Sequence, residues 1–276
     1  MPTDYQSTNP IVMQFPRFAG GKFIMNCLAL SRHCVPQDRE IAEHLIDNPG
    51  DYIYRLSSVM KTLPPASDMI NWINCYELGD RQLFGPSVAR KWTQGISDDS
   101  NINDITKRLS ISNMKFFITC HSGPDQASNV LKVWPRASIV MLVNHRKFSL
   151  ISARLKSKND NVDAHAGNYC QSKYQQLAGT DWPTWTEFKN IGFNINRLTG
   201  YPEHILAEMG QFYRWNLIST DPIMIDIDSN IFDQHKFLHM IQQLYSDLGL
   251  DDFNANLVGT FWKSYINLHV DIADIL

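Results

Sequence analysis

The stretch IVMQFPRFAGGKFIMNCLALSRHC, residues 11–34, indicates the fold of this chain more directly than any other part of it. Its first residues form a short apolar run that ends at Pro16, which is typical of a buried parallel strand because proline has no N–H to donate. From Lys22 the apolar residues recur at helical spacing to about His33. The stretch therefore predicts a strand, a glycine-containing loop and a helix in succession.

The loop between this strand and helix carries the chemistry. Ala19, Gly20 and Gly21 would let backbone N–H groups converge on an anion at the helix N-terminus, and Lys22 adds positive charge. A tight turn that needs two glycines is the other interpretation. Phe23 stands where a phosphate-binding kinase loop has the Ser or Thr that holds Mg²⁺, so metal-assisted phosphoryl transfer is disfavoured. Sulfuryl transfer fits better, because Lys, Arg and N–H donors can stabilise it without a metal.

The rest of the chain alternates between strand and helix patterns. Further strands are predicted at residues 114–120, 138–143 and 222–227, and the polar residues 97–104 predict a loop. Helices are predicted over residues 41–46, 52–60, 69–76, 125–133, 145–155, 202–217, 233–248 and 256–274. The last but one is marked by Asp233 as N-cap and by Gly249 as its end. The prediction is a single α/β domain over residues 1–276, with a mostly parallel sheet flanked by helices on both faces. A helical cap is expected at about 38–104 and a loop or lid at about 156–181.

Composition limits the classes of function. The net charge of −3 and the pI near 6.3 predict no general attraction to nucleic acid or to a membrane surface, so an anionic ligand needs a local basic site. Five scattered cysteines and the lack of a CxxC pair favour buried thiols in a reducing compartment and no metal site. The polar first ten residues lack the pattern of a signal peptide, so we expect a cytoplasmic protein.

Three separated segments resemble those of sulfotransferases that use 3′-phosphoadenosine 5′-phosphosulfate (PAPS). FPR at 15–17 with AGGK at 19–22 is similar to the family's 5′-phosphosulfate loop, with a Gly-Gly-Lys in place of Gly-Thr-Thr. ITCH at 118–121 resembles the Lys-Thr-His that supplies a catalytic base, with Thr119 in place of the lysine and His121 matching the histidine. WPRASIVMLVN at 134–144 resembles the strand whose closing Arg and later Ser bind the 3′-phosphate. Asn144 replaces that Arg, and Ser152 has the family's spacing of eight residues.

The resemblance implies a three-layer, P-loop sulfotransferase-like architecture. It implies transfer of a sulfuryl group from PAPS to a hydroxyl or amine of a small-molecule or saccharide acceptor, with adenosine 3′,5′-bisphosphate as the product. The catalytic residues would be His121 as base, with Lys22 and Arg17 stabilising the leaving phosphate. The residues implied in PAPS binding are Arg17, Ala19, Gly20, Gly21, Lys22, Phe23, Asn144, Arg146, Ser152 and Arg154. Two alternatives stay open: a P-loop nucleotide kinase, and a catalytically silent module that binds a nucleotide or polyanion.

Overall fold

The computed structural model describes residues 9–15, 19–61, 100–120, 131, 134–143, 148 and 222–270. Within them the elements are, in chain order, β1 (Ile11–Gln14), α1 (Gly21–Leu28), α2 (Arg39–Asp47), α3 (Tyr52–Met60), α4 (Ser100–Ser112), β2 (Phe117–Cys120), β3 (Ser138–Val143), β4 (Ile223–Asp226), α5 (Gln234–Asp247) and α6 (Ala255–Val270). The predicted helices at 69–76 and 202–217 and the predicted loop or lid at 156–181 lie outside the described residues.

The four described strands form one parallel sheet in the order β2-β1-β3-β4. β1 lies between β2 and β3, and in this register Gln14 is beside both Cys120 and Met141. Every residue of β1 is buried, as expected for a central parallel strand covered on both faces. The prediction of an α/β fold with a parallel sheet is confirmed.

Helices pack on both faces of the sheet because the side chains of β1 alternate between two cores. Ile11 and Met13 join the larger core, which contains the buried faces of α1, α5 and α6. Val12 joins the second core, which contains Ala42 of α2 and Leu109 of α4. Both cores are continuous across the strands, so the sheet is the middle layer between two layers of helices.

The predicted boundaries of α5 are confirmed in detail. The carboxylate of Asp233 accepts a hydrogen bond of 3.0 Å from the backbone N–H of Lys236 and caps the first turn. At the other end Gly249 has a φ of +67°, and the N–H of Leu250 donates to the carbonyl of Tyr245 over 2.8 Å. This is the hydrogen bond of a Schellman motif, which needs a residue that tolerates positive φ.

Three predicted boundaries are wrong. The strand predicted at 114–120 begins only at Phe117, as β2. α1 ends at Leu28 and not near His33, because residues after it form a turn held by other parts of the chain. The loop predicted at 97–104 is helical from Ser100 onwards, in α4. Ile105 and Leu109, one helical turn apart, bury that helix against the second core. The polar residues before them conceal this short apolar face in the sequence.

The turn after α1 is held by a buried arginine of α3. Arg55 is fully buried, and its Nη1 donates to the carbonyls of Ala29 at 3.0 Å and Cys34 at 2.6 Å. Its Nη2 donates to the carbonyl of Pro49 at 3.2 Å. Burial lowers the pKa of Arg55 and raises that of the Cys34 thiol to about 12. Cys27 and Cys34 are both buried free thiols, as the scattered cysteines predict.

Candidate functional site

The junction between β1 and α1 presents an uncapped helix N-terminus. Gly20 is the N-cap, with φ 80° and ψ 10°, and as a glycine it has no side chain to cap the first turn. The helix is entered by a hydrogen bond of 3.1 Å from the N–H of Ile24 to the carbonyl of Gly20. The N–H groups of residues 21–23 precede this bond and have no acceptor within the helix. Such N–H groups, at the positive end of the helix dipole, favour an anion.

The other well-defined helix starts in the described residues are capped by acidic or amide side chains. Asp38, Asp51 and Asp233 cap α2, α3 and α5, and Asn254 accepts hydrogen bonds of 3.1 Å from two N–H groups at the start of α6. A carboxylate at a helix start neutralises the charge that would attract an anion. The first turn of α1 contains no acidic residue and instead carries the half-buried Lys22.

The two glycines are also required by packing. A Cβ at Gly21 would overlap the ring of Phe15, and one at Gly20 would lie 2.9 Å from Cε1 of Phe148. Gly20 has in addition a positive φ that L residues rarely adopt. Close packing, and at Gly20 the positive φ, therefore explain why glycines stand at these two positions, as the tight-turn interpretation expects. The same two glycines leave the backbone at the start of α1 without Cβ atoms.

Phe148 links the loop to the segment that follows β3. This residue is helical and fully buried, and its N–H donates to the carboxylate of Asp228 over 2.9 Å. Its ring lies 6.1 Å from that of Phe232 and 6.2 Å from that of Tyr265, centre to centre. The structure thus brings one residue of the segment predicted to bind the 3′-phosphate into contact with Gly20 of the predicted 5′-phosphate loop.

The sheet order places this junction at a topological switch point. The connection from β1 leads to β2 on one side, whereas β3 is followed by β4 on the other side. The order in which strands are added to the sheet therefore changes direction between β1 and β3. In open parallel sheets, ligands bind in the crevice outside the carboxyl ends of the strands at such a point. Cys120 and Val143, which directly precede His121 and Asn144 in the sequence, end β2 and β3 at this same edge.

The structure describes only part of the predicted site. Ala19, Gly20, Gly21, Lys22 and Phe23 lie together at the start of α1. Of these, the side chains of Ala19 and Phe23 are buried in the larger core, so only their backbone groups can reach a ligand; the Phe23 ring stacks 3.8 Å from that of Tyr265. The remaining predicted residues lie outside the described part of the chain: Arg17, His121, Asn144, Arg146, Ser152 and Arg154.

No protein-family model, curated protein or solved structure matches this chain. None of the helices in the described residues is both long enough and apolar enough to cross a bilayer.

One polar residue of this edge was missed by the sequence analysis. Gln14, the last residue of β1, is only 7% exposed, and its Oε1 is enclosed without a hydrogen-bond partner among the described residues. A glutamine inside the apolar run IVMQF is the signal that could have drawn attention to it.

A second cluster of potential ligands lies at the opposite end of α1. His33, Asp251 and Asp252 have ligand atoms within 4.8 Å of one another. Asp252 already accepts hydrogen bonds from the hydroxyl of Ser31 at 2.6 Å and the N–H of Arg32 at 2.7 Å. His33 is hydrogen-bonded to Asp251 at 2.7 Å, which lowers the pKa of that carboxyl group. These contacts join the turn after α1 to the connection between α5 and α6. The role of the cluster is therefore structural, because it holds these two segments together.

Proposed function

We propose that this chain is a sulfotransferase-like enzyme that binds PAPS at the start of α1 and passes its sulfuryl group to a hydroxyl or amine. The observation that carries the proposal is the uncapped N-terminus of α1 behind Gly20, at the switch point of a parallel sheet. Three N–H donors and the half-buried Lys22 suit a 5′-phosphate there. We choose PAPS among phosphorylated ligands because three sequence segments resemble those of PAPS-dependent sulfotransferases.

In the proposed reaction the acceptor oxygen or nitrogen attacks sulfur, and the bond from sulfur to the 5′-phosphate oxygen breaks. His121 takes the proton from the acceptor as it attacks. Arg17, Lys22 and the N–H groups of the first turn stabilise the negative charge that develops on the leaving phosphate. Ser152, Asn144 and either Arg146 or Arg154 hold the 3′-phosphate, and adenosine 3′,5′-bisphosphate is released.

The kinase alternative has less support. A Mg²⁺-dependent phosphate loop uses the hydroxyl of the residue after its lysine, and this position is Phe23, whose side chain is packed between aromatic rings of the core. Replacing it with Ser would open a cavity in that core. The residues at the start of α1 favour sulfuryl transfer, in which lysine and backbone N–H groups stabilise the negative charge on the leaving phosphate.

The proposal is tested by calorimetric titration of adenosine 3′,5′-bisphosphate into the wild type and two lysine variants. Lys22→Gln removes the cation in the first turn of α1 and is expected to weaken binding at least about tenfold, since a charged hydrogen bond is worth roughly 1.5–3 kcal/mol. Lys236→Gln is the matched control, because Lys236 lies in the first turn of α5, which Asp233 caps. Equal affinity in the two variants would remove α1 from the ligand site.

A further inference from the structure

Asp228 is the side chain that holds the backbone of Phe148. The N–H of Phe148 donates to its Oδ1 over 2.9 Å, although 80 positions separate the two residues. An N–H in the body of a helix donates to the carbonyl four residues earlier, whereas one that donates to a carboxylate is typical of a helix start. Asp228 therefore caps the helical backbone at Phe148 from a distant segment of the chain.

The turn that carries Asp228 is itself held to the sheet. The N–H of Ile227, the residue before it, donates to the carbonyl of Val143 at the end of β3 over 3.1 Å. The N–H of Ile231 closes the turn on the carbonyl of Ile227 over 2.9 Å, and both isoleucines are fully buried. The half-buried carboxylate of Asp228 therefore has a fixed place beyond the carboxyl ends of β3 and β4.

The ring of Phe148 packs against the start of α1. Because its N–H is bonded to Asp228, Phe148 contributes the ring and not a donor to this region. The ring is fully buried, and it lies so close to Gly20 that a Cβ there would be 2.9 Å from Cε1. Its neighbour Tyr265 stacks on Phe23 of α1 at 3.8 Å. The backbone at the start of α1 is thus packed against a ring that Asp228 holds in place.

We propose that Asp228 is a positioning residue for the phosphate site at the start of α1. It fixes Phe148, and the Phe148 ring keeps Gly20 in the conformation that directs the N–H groups of the first turn at the phosphate. This inference rests on the proposed function. The charge of Asp228 would repel a phosphate, so its contribution to binding comes through the hydrogen bond to Phe148.

The test compares Asp228→Ala, Asp228→Asn and Asp233→Ala in the whole chain. Asp228→Ala removes the acceptor of the Phe148 N–H, whereas the amide oxygen of Asp228→Asn can still accept this bond without the charge. Asp233→Ala is the matched control, because Asp233 also caps a helix with its carboxylate, through the N–H of Lys236 in α5. Calorimetry measures the affinities for adenosine 3′,5′-bisphosphate and adenosine 5′-monophosphate, and the thermal midpoint of each variant reports its stability.

We expect Asp228→Ala to weaken the binding of both ligands about fivefold to tenfold, which corresponds to the loss of one hydrogen bond to the phosphate. The factor should be the same for both, since both carry the 5′-phosphate. Asp228→Asn should bind them at least as tightly as the wild type, because the bond to Phe148 is kept and a negative charge is removed. Asp233→Ala should keep the wild-type affinities, although the thermal midpoints of both alanine variants fall by about 2–4 °C.

Two further variants test whether Asp228 acts through Phe148. Phe148→Leu should itself weaken binding, and adding Asp228→Ala should weaken it no further, because both changes remove the same support of Gly20. Independent losses that multiply in the double variant would overturn the inference. If Asp228→Ala does not fold, Asp228→Glu takes its place in both comparisons, because it keeps the charge and moves the carboxylate by one methylene group; the same losses are expected of it.

The outcomes separate this inference from the proposed function. A wild-type protein that does not bind the bisphosphate overturns the proposed function, and the inference with it. Wild-type affinity in Asp228→Ala overturns the role of Asp228 alone, whatever the thermal midpoint. Equal losses in Asp228→Asn and Asp228→Ala would show that the charge matters and not the bond to Phe148, which also overturns it. A loss confined to the bisphosphate would do the same, since it would place the effect at the 3′-phosphate.

Discussion

Gly20 and Phe148 are in contact although 128 positions separate them in the sequence: a Cβ on Gly20 would lie 2.9 Å from Cε1 of Phe148. This contact joins the loop after β1 to the segment after β3, and both segments carry motifs that resemble phosphate-binding parts of PAPS-dependent sulfotransferases. It places the buried ring of Phe148 against the start of α1 and explains why this position needs a glycine. The proposed site therefore depends on a long-range packing contact as well as on a local motif.

A graded series of glycine variants tests this relationship. Gly50→Ala should be nearly neutral, because Gly50 has an ordinary φ and no atom near the new Cβ. Gly249→Ala should lose about 1–2 kcal/mol of unfolding free energy through its positive φ alone. Gly20→Ala should lose more than either, since it combines a φ of +80° with the Phe148 contact. Urea denaturation measures all three, and a Gly20→Ala protein as stable as Gly50→Ala would contradict the packing described above.

Arg55 should be the most sensitive polar residue of the described fold. Arg55→Met leaves the carbonyls of Ala29 and Cys34 without donors in a buried region, and we expect a loss of at least about 3 kcal/mol in unfolding free energy. Arg108→Gln is the comparison, because its ion pair with Asp47 is half-exposed and worth about 1 kcal/mol at most. Similar losses in the two variants would show that the buried hydrogen bonds of Arg55 add little.

Acid should weaken the cap of α5. The N–H of Lys236 lowers the pKa of Asp233 below its usual value, so the folded state favours the carboxylate. This stabilisation is fully present above the unfolded pKa of about 3.9 and is lost as the pH falls through the lower folded value. Asp233→Asn keeps a capping oxygen without the charge. Its stability should depend less on pH below about 4 than that of the wild type, and identical profiles from urea denaturation between pH 2 and 7 would contradict this.

Turnover should depend on His121 more than binding does. His121→Ala is expected to abolish sulfuryl transfer from PAPS and to leave bisphosphate affinity within about twofold, because the base acts on the acceptor proton and not on the phosphates. The measurement is transfer of labelled sulfuryl to an acceptor beside a calorimetric titration. Retained turnover would remove His121 from the mechanism.

The fold was predictable where local signals agree with tertiary packing. The strand at β1, the capping Asp233 and the terminating Gly249 can each be read from a few adjacent residues. α4 was missed because its buried face is small, with Ile105 and Leu109 inside a polar stretch. Sequence periodicity cannot detect such a helix when its stability comes from contact with another element.

The site was predictable to the extent that the backbone defines it. The glycines and the position of Lys22 before a helix indicated an anion site, and α1 does begin there without a cap. The contact of Phe148 with Gly20 depends on the packing of distant segments, and the lack of a partner for Oε1 of Gln14 among the described residues depends on what surrounds it. Neither follows from residue types or spacing, because both are consequences of three-dimensional packing.

The most direct measurement is calorimetric titration of the wild-type protein with adenosine 3′,5′-bisphosphate, with adenosine 5′-monophosphate and ATP/Mg²⁺ as comparison ligands. The account predicts a clear preference for the bisphosphate, since both of its phosphates would be held and the monophosphate lacks one of them. Equal affinity for the three ligands, or no binding of the bisphosphate, would contradict a PAPS site at the start of α1.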